Sequence, residues 1–300
     1  TTACYSITTL TIEVQQNPIA NPTTPLQVCD DNADGLGVFD LSLRDAEFVG
    51  AQAGMVVSYY ATPADAVLGI NPLPTNYTNT FPSAQEIYVR IENVATGCSA
   101  TTTLQLIVNP LPLTIAVSPF ELCDDNTTGD EIEVFDLTTK DAEILNGQVN
   151  VTVAYYENLA DATAGINAIT VPFTNTINPQ PLVAVLTNTN TGCVSSVDFN
   201  LVVNSLPAVV PVPPLSVCDD DTDGFALFDM STMIPDLLNG QVDVNVTFHE
   251  TFAEADAGTG ALADGYTNTG VPNQILFVRL DNITTACYSI TTLTIEVQQN

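Results

Sequence analysis

Apolar and polar residues alternate with period two in several short runs of this chain, the pattern of strands with one face buried. Val151-Thr152-Val153-Ala154-Tyr155-Tyr156 and Val244-Asn245-Val246-Thr247-Phe248-His249 set Val, Val and an aromatic on one face and polar or small residues on the other. Ile87 to Glu92 and Leu276 to Asp281 alternate likewise, and the turn Asn93-Val94-Ala95-Thr96-Gly97 carries the first of them into Thr101 to Val108, which predicts a hairpin. Phe225 to Met230 reads as a further strand, and Thr138 to Leu145 has room for a short helical turn. Prolines in Val209 to Val217 confine that extended segment to a sheet edge. No long helix is expected. The pattern predicts an all-β fold, an antiparallel β-sandwich whose core rests on Val, Ile, Leu, Phe and Tyr, since Trp is absent.

The same set of elements occurs three times. Each copy opens on an acidic box: Cys29-Asp30-Asp31-Asn32-Ala33-Asp34-Gly35, Cys123-Asp124-Asp125-Asn126, and Cys218-Asp219-Asp220-Asp221-Thr222-Asp223-Gly224. Phe-Asp follows at Phe39, Phe135 and Phe228, then an aromatic pair or Phe248-His249, then Ala-Asp-Ala around Asp65, Asp161 and Asp256. Tyr-Thr-Asn-Thr from Tyr77 or Tyr266 (Phe173 in the middle copy) and a cysteine at Cys98, Cys193 or Cys287 complete the unit. Landmarks recurring about every 95 residues mark a tandem array. Residues 1–17 are identical to residues 284–300, so 1–17 reads as the last strand of a preceding unit and the chain as a window on a longer polymer. The units are then 18–109, 110–204 and 205–300, each large enough to bury its own core. They meet at Asn17-Pro18, Asn109-Pro110-Leu111-Pro112 and Asn204-Ser205-Leu206-Pro207. Proline fixes φ and biases its predecessor to extended geometry, so short, stiff connectors are expected there.

Charge changes the picture of partners. Four basic residues against 35 acidic ones give a net charge of -31, which repels phosphate backbones and anionic lipid and disfavours nucleic acid or membrane surfaces as partners. No apolar run approaches the roughly 20 residues of a membrane span. Seven cysteines without a Cys-x-x-Cys, beside a single histidine, point away from zinc and towards disulfides in an oxidising, extracellular setting.

The string of Cys-Asp-Asp-Asn/Asp, Phe-Asp-Leu, Asn-Gly-Gln, Tyr-Tyr-Glu, Ala-Asp-Ala, Tyr-Thr-Asn-Thr, Thr-Gly-Cys and Val-Asn-Pro-Leu-Pro resembles the tandem immunoglobulin-like repeats of very large Bacteroidetes surface proteins. Those proteins are exported by the type IX secretion system and include adhesins of the gliding-motility class. The resemblance covers essentially the whole chain. It implies a cell-surface stalk or filament segment that presents an adhesive domain, with neighbouring repeats of the same polymer as partners. The competing reading is an array of modules that bind surface glycans or other cell-surface proteins by multivalency. The middle copy departs from the pattern, with Thr128-Gly129 in place of Asp-Gly and two extra residues before Phe135.

Three sets of residues bear on chemistry. Asp30-x-Asn32-x-Asp34-Gly35 and Asp219-x-Asp221-x-Asp223-Gly224 match the first half of a calcium loop, in which alternating side-chain oxygens converge. The bidentate acid that closes such a loop is missing, and Asp40 and Asp229 are the nearest substitutes. The other reading is an Asp/Gly turn whose side chains cap backbone amides. For catalysis there is little: His249 takes the position of Tyr60 and Tyr156 and reads as a solvent-facing strand residue, and an enzyme is not expected. Arg90 and Arg279 fall on polar strand faces, where cross-strand pairing with an acid is expected. For the cysteines the default pairing is within a unit, Cys29–Cys98, Cys123–Cys193 and Cys218–Cys287, with Cys4 belonging upstream. Two alternatives stay open: Cys98–Cys123 across the proline junction, or Cys29–Cys193 with the next unit, because the first and last hairpins of an immunoglobulin-like sandwich lie at opposite poles.

Overall fold

The computed structural model describes residues 4–299. In the first repeat the strands are β1 (Leu26–Asp30), β2 (Val38–Asp40), β3 (Met55–Tyr60), β4 (Asn76–Thr78), β5 (Ala84–Asn93) and β6 (Ser99–Pro110), with short helices α1 (Asp45–Val49) and α2 (Pro63–Leu68). A four-stranded sheet in the order β1-β6-β5-β3 faces a two-stranded ribbon of β2 and β4. Between them Ile87, Val89 and Ile91 of β5 and Leu104, Leu106 and Val108 of β6 meet Phe39, Leu41 and Phe48. All nine side chains are buried, so the period-two pattern does face the core. Each strand pair is antiparallel except one. The edge strand β1 runs parallel to β6, with Leu26 opposite Leu106 and Cys29 opposite Asn109.

The second repeat follows the same plan with β7 (Phe120–Cys123), β8 (Val134–Phe135), α3 (Asp141–Leu145), β9 (Val151–Tyr156), α4 (Leu159–Ala164), β10 (Phe173–Thr174), β11 (Gln180–Asn188) and β12 (Val194–Asn204). The third has β13 (Leu215–Cys218), β14 (Leu227–Asp229), α5 (Ile234–Leu238), β15 (Val244–His249), α6 (Phe252–Ala257), β16 (Gly265–Thr267), β17 (Asn273–Asn282) and β18 (Tyr288–Gln298). As the prolines before it require, β13 is an edge strand. The helical turn allowed at Thr138 to Leu145 exists, as a 3-10 turn Leu137–Lys140 running into α3.

The Ala-Asp-Ala segments are helices, which strand periodicity did not announce. Each is six residues long and fixed at both ends by local chemistry. Thr62, Asn158 and Thr251 cap the starts, and Gly69, Gly165 and Gly258 end them in the left-handed region. In the first and third of them a small residue, Ala66 or Ala255, is fully buried. This layer corrects two sequence expectations. His249 is not solvent-facing but 1% exposed; its Nδ1 donates to the Thr259 carbonyl at 2.8 Å, which leaves Nε2 to accept from the Thr247 hydroxyl at 2.9 Å. Tyr60 and Tyr156 are buried in the same way. Arg90 and Arg279 do not pair across strands. Each binds an acid two residues along its own strand, Glu92 or Asp281, and donates to the last carbonyls of α2 or α6.

One sequence occurs here in two states. In β18, Leu293, Ile295 and Val297 are buried, whereas their identical counterparts Leu10, Ile12 and Val14 lie in a segment without secondary structure and are 82–91% exposed. Only the second copy has flanking strands, β17 and β13, to pair with; strand formation here comes from neighbours and not from propensity.

By contacts the chain forms two compact units, and the division runs through the second repeat. One unit joins the first repeat to 110–115, 145–153 and 185–196 of the second; the other joins 116–144, 154–184 and 197–204 of the second to the third repeat.

Candidate functional site: the bridged junctions

The parallel pairing of β1 with β6 decides which cysteines can meet. It sets Cys29 beside Asn109, Cys123 beside Asn204 and Cys218 beside Gln298, at the end where the chain leaves its repeat. Cys98 precedes the other end of β6. A strand of 12 residues separates them, about 35–40 Å at 3.3 Å per residue, far beyond the reach of a disulfide. The default within-unit pairing is therefore wrong. Cys29 is bonded to Cys193 and Cys123 to Cys287, each with Cα atoms 5.6 Å apart and each spanning 164 residues. Both bonds tie the box of one repeat to the hairpin of the next, and each lies inside one compact unit. Cys4, Cys98 and Cys218 are free thiols. Two such bonds fit an oxidising compartment.

The connectors are held too, by hydrogen bonds. In each repeat the glutamine that follows the α1-type helix reaches the chain entering that repeat and binds both backbone groups of one residue, like a strand partner. Gln52 accepts from Ile19 N at 2.8 Å and donates to Ile19 O at 2.7 Å. Gln148 does the same with Leu113 and Gln241 with Ala208. The residue before the clamped one is a buried proline in all three cases, Pro18, Pro112 and Pro207. Ser195 and Ser289, two residues past the bonded hairpin cysteines, donate to the carbonyls of Pro112 and Pro207.

In the second repeat the entering chain has a further anchor. Glu143 accepts from the Ser118 amide at 2.6 Å and pairs with Lys140 at 2.8 Å. The Lys140 ammonium first, and the Ser118 amide next, hold its carboxyl down to about 2, from 4.5. A depressed folded value means stabilisation that is present above the unfolded value and lost as pH falls through the folded one. Melting temperature is accordingly expected to fall between pH about 4.5 and about 2, and Glu143→Gln to remove part of that slope.

The acidic boxes are closed by their own side chains. Asp30 Oδ2 accepts from Gly35 N, Asp124 Oδ2 from Gly129 N and Asp219 Oδ2 from Gly224 N. Asn32 and Asp34 bond each other and the amides of Asp34 and Leu36. In the middle box, where two residues are inserted, buried Glu133 takes the amides of Asp125 and Asn126, as Asp219 takes those of Asp221 and Thr222. Asp40 and Asp229 do not join the boxes at all. Both cap the 3-10 turns that follow, accepting from Ser42 and Ser231. Of the calcium candidates the structure gathers Asp219, Asp221 and Asp223, with carboxylate oxygens within 4.8 Å of one another. The Asp223 amide lowers the Asp221 pKa, but desolvation, the shared hydrogen bond with Asp223 and the charges of Asp223 and Asp220 together leave it raised.

The asparagine of Tyr-Thr-Asn-Thr, whose role the sequence did not disclose, locks each box to the ribbon. Asn79 accepts from Gly37 N and donates to the carbonyls of Gly35 and Phe81. Asn175 and Asn268 repeat the pattern. All three are buried, at 2–3% exposure. Among the described residues no helix is long and apolar enough to cross a membrane.

The family described as the Flavobacterium inter-domain disulphide bond domain matches residues 25–112, 119–207 and 214–300. No curated protein matches the chain. Among solved structures, a three-immunoglobulin fragment of titin is 11% identical, with 92% of this chain and 96% of that chain covered and a TM-score of 0.31. An N-cadherin EC1-3 fragment from Drosophila is 9% identical over 94% of this chain and 100% of that one, TM-score 0.23. The sialic acid binding region of a Streptococcus sanguinis adhesin is 13% identical over 92% and 77%, TM-score 0.23.

Proposed function

Since the chain belongs to the Flavobacterium inter-domain disulphide bond domain family, in three tandem copies, we propose that it is a stapled segment of an extracellular stalk that holds an adhesive domain away from the cell surface. Repeats of this kind are structural, and the chain is not an enzyme. The observation that carries the proposal is the two bridges, one from the first box and one from the second, each to the hairpin of the next repeat. Such a bond bypasses the connector, so tension on the array is shared between the peptide and a covalent bond beside it. The buried prolines and glutamine clamps restrict the connector further. Export by the type IX system and a place among gliding adhesins, which the resemblance implies, belong to the same proposal.

Small-angle scattering on the oxidised chain tests it. Strands of about nine residues give repeats of about 30–40 Å, so a rod on the order of 100 Å is expected; a compact distance distribution contradicts the stalk. A glycan array comparing one repeat with three separates the multivalent reading, because a spacer binds nothing in either form.

Calcium is placed by the same reading at the third box. Its addition is expected to raise the melting temperature of the chain, and Asp223→Ala to remove the increment, because three neighbouring carboxylates repel one another until a cation bridges them. Equal melting in calcium and in chelator would dispose of this site.

A further inference from the structure

The buried carboxylate of the second box has an oxygen that the fold does not use. In the third box both oxygens of Asp219 accept from box amides, Oδ1 from Asp221 and Thr222 and Oδ2 from Gly224. In the second box Glu133 has taken the amides of Asp125 and Asn126 instead. Asp124 Oδ2 still accepts from Gly129 N, but Oδ1 is buried without a donor, on a residue that is 1% exposed. Buried polar atoms are nearly always partnered, and a carboxylate oxygen calls for a donor or a cation. We propose that Asp124 anchors a site for the ammonium group of a lysine side chain supplied by a partner protein. The site goes beyond the stalk reading and does not depend on it.

Asp124 lines a cleft of about 640 Å³ where the second box meets the chain entering the third repeat and α6. All of its lining residues belong to one compact unit. Glu131 and Asp256 add negative charge at its exposed rim, and Leu206, Val209 and Phe252 supply an apolar wall. The two rim acids accept from neutral groups, the Asn178 amide and the Tyr288 hydroxyl. Among the described residues no basic side chain lines the cleft.

Its chemistry selects the occupant. Only Asp219, Asp221 and Asp223, among the described residues, gather closely enough to hold a metal ion, so the more widely set acids of the cleft suit an organic cation. With Oδ2 held by Gly129, Asp124 offers one oxygen, enough for a point-like ammonium but not for the two-pronged bonding of a guanidinium. The four-carbon stem of lysine would lie on the apolar wall while its head reaches the acid. A second copy of this chain does not supply that head. The chain has four basic residues, and all four are already paired, with Glu47, Glu92, Glu143 and Asp281. The net charge of -31 draws a basic partner in from a distance. At the first junction Asp30 Oδ1 is likewise buried and unpartnered, in a smaller cleft of about 410 Å³ shared with Pro110 to Thr114. The same anchor thus recurs beside each bridge.

The test is an NMR titration of the full oxidised chain at about 0.15 M salt, where attraction between exposed charges is screened beyond about 8 Å. The probe is Nα-acetyl-lysine N-methylamide. Its addition should shift the Leu206 and Phe252 amides saturably, and its Nε-acetylated form, which is neutral, should not. Asp124→Asn should weaken binding about tenfold, the loss of one hydrogen bond between charged groups. Asp256→Asn should weaken it measurably, and because Asp256 is exposed that variant reads the site even if Asp124→Asn lowers the melting temperature. Asp220→Asn, the same change of charge at an exposed position of the third box, should leave binding unchanged. Equal shifts with the neutral form, or shifts spread over the acidic surface without saturation, overturn the proposal. Tighter binding of putrescine than of the lysine probe overturns it as well, by assigning the cleft to free polyamines.

Discussion

Removing the two bridges is expected to have the largest effect of any change to this chain. Each closes a loop spanning 164 residues, worth about 5 kcal/mol in the chain-entropy model. The two loops overlap, since Cys123 lies between Cys29 and Cys193 in sequence, so each repeat is tied into at least one of them. In the oxidised protein, melting followed by calorimetry should be a single high transition. With reductant, or in the Cys29→Ser/Cys193→Ser and Cys123→Ser/Cys287→Ser variants combined, it should move down and spread into separate steps, as repeats with cores of their own unfold one by one. Identical traces with and without reductant would mean that the bonds add nothing to the fold.

The second large effect is expected at the buried asparagines. Asn79→Ala, Asn175→Ala or Asn268→Ala each removes one accepted and two donated hydrogen bonds from a site at 2–3% exposure. It leaves buried backbone groups without partners, which costs about 3 kcal/mol in the affected repeat. The three variants should differ in one respect. Asn79 and Asn175 secure boxes whose cysteines are bridged, so their loss should also speed reduction of Cys29–Cys193 or Cys123–Cys287 by mild thiol. Asn268 secures the box of Cys218, a free thiol, and its loss should lower melting with no change in either reduction rate. Equal acceleration in all three would show that the asparagines act on stability alone.

Recurrence of the same landmarks disclosed the three-fold array, and alternation disclosed the strands and the hairpin whose turn holds Cys98, because a strand or tight turn is written within a few neighbouring residues. What they left hidden depends on partners far along the chain. Asn79 and Gly37 are 42 residues apart, and so are Asn175 and Glu133, and Asn268 and Ala226; a recurring asparagine was visible, its target was not. The same holds for Gln52, Gln148 and Gln241, whose clamped residues lie 33 to 35 positions away. The six-residue helices escaped because caps at Thr62, Asn158 and Thr251 define them and no apolar period does. With them went the burial of His249, which is set by the α6 layer. The cysteine spacing within a unit pointed to the wrong pairs because spacing carries no information about poles. That information lies in the parallel placement of β1 on β6, a long-range pairing that no local pattern encodes.

Non-reducing peptide mapping tests the central claim most directly. With so few Lys and Arg residues, a protease that cuts at acidic residues is the suitable reagent. Cross-linked peptides joining Cys29 to Cys193 and Cys123 to Cys287 are the expected result, with Cys98 and Cys218 alkylated as free thiols in the monomer. Peptides joining Cys29 to Cys98, Cys123 to Cys193 or Cys218 to Cys287 would contradict the account, because repeats sealed one by one leave no covalent staple between them.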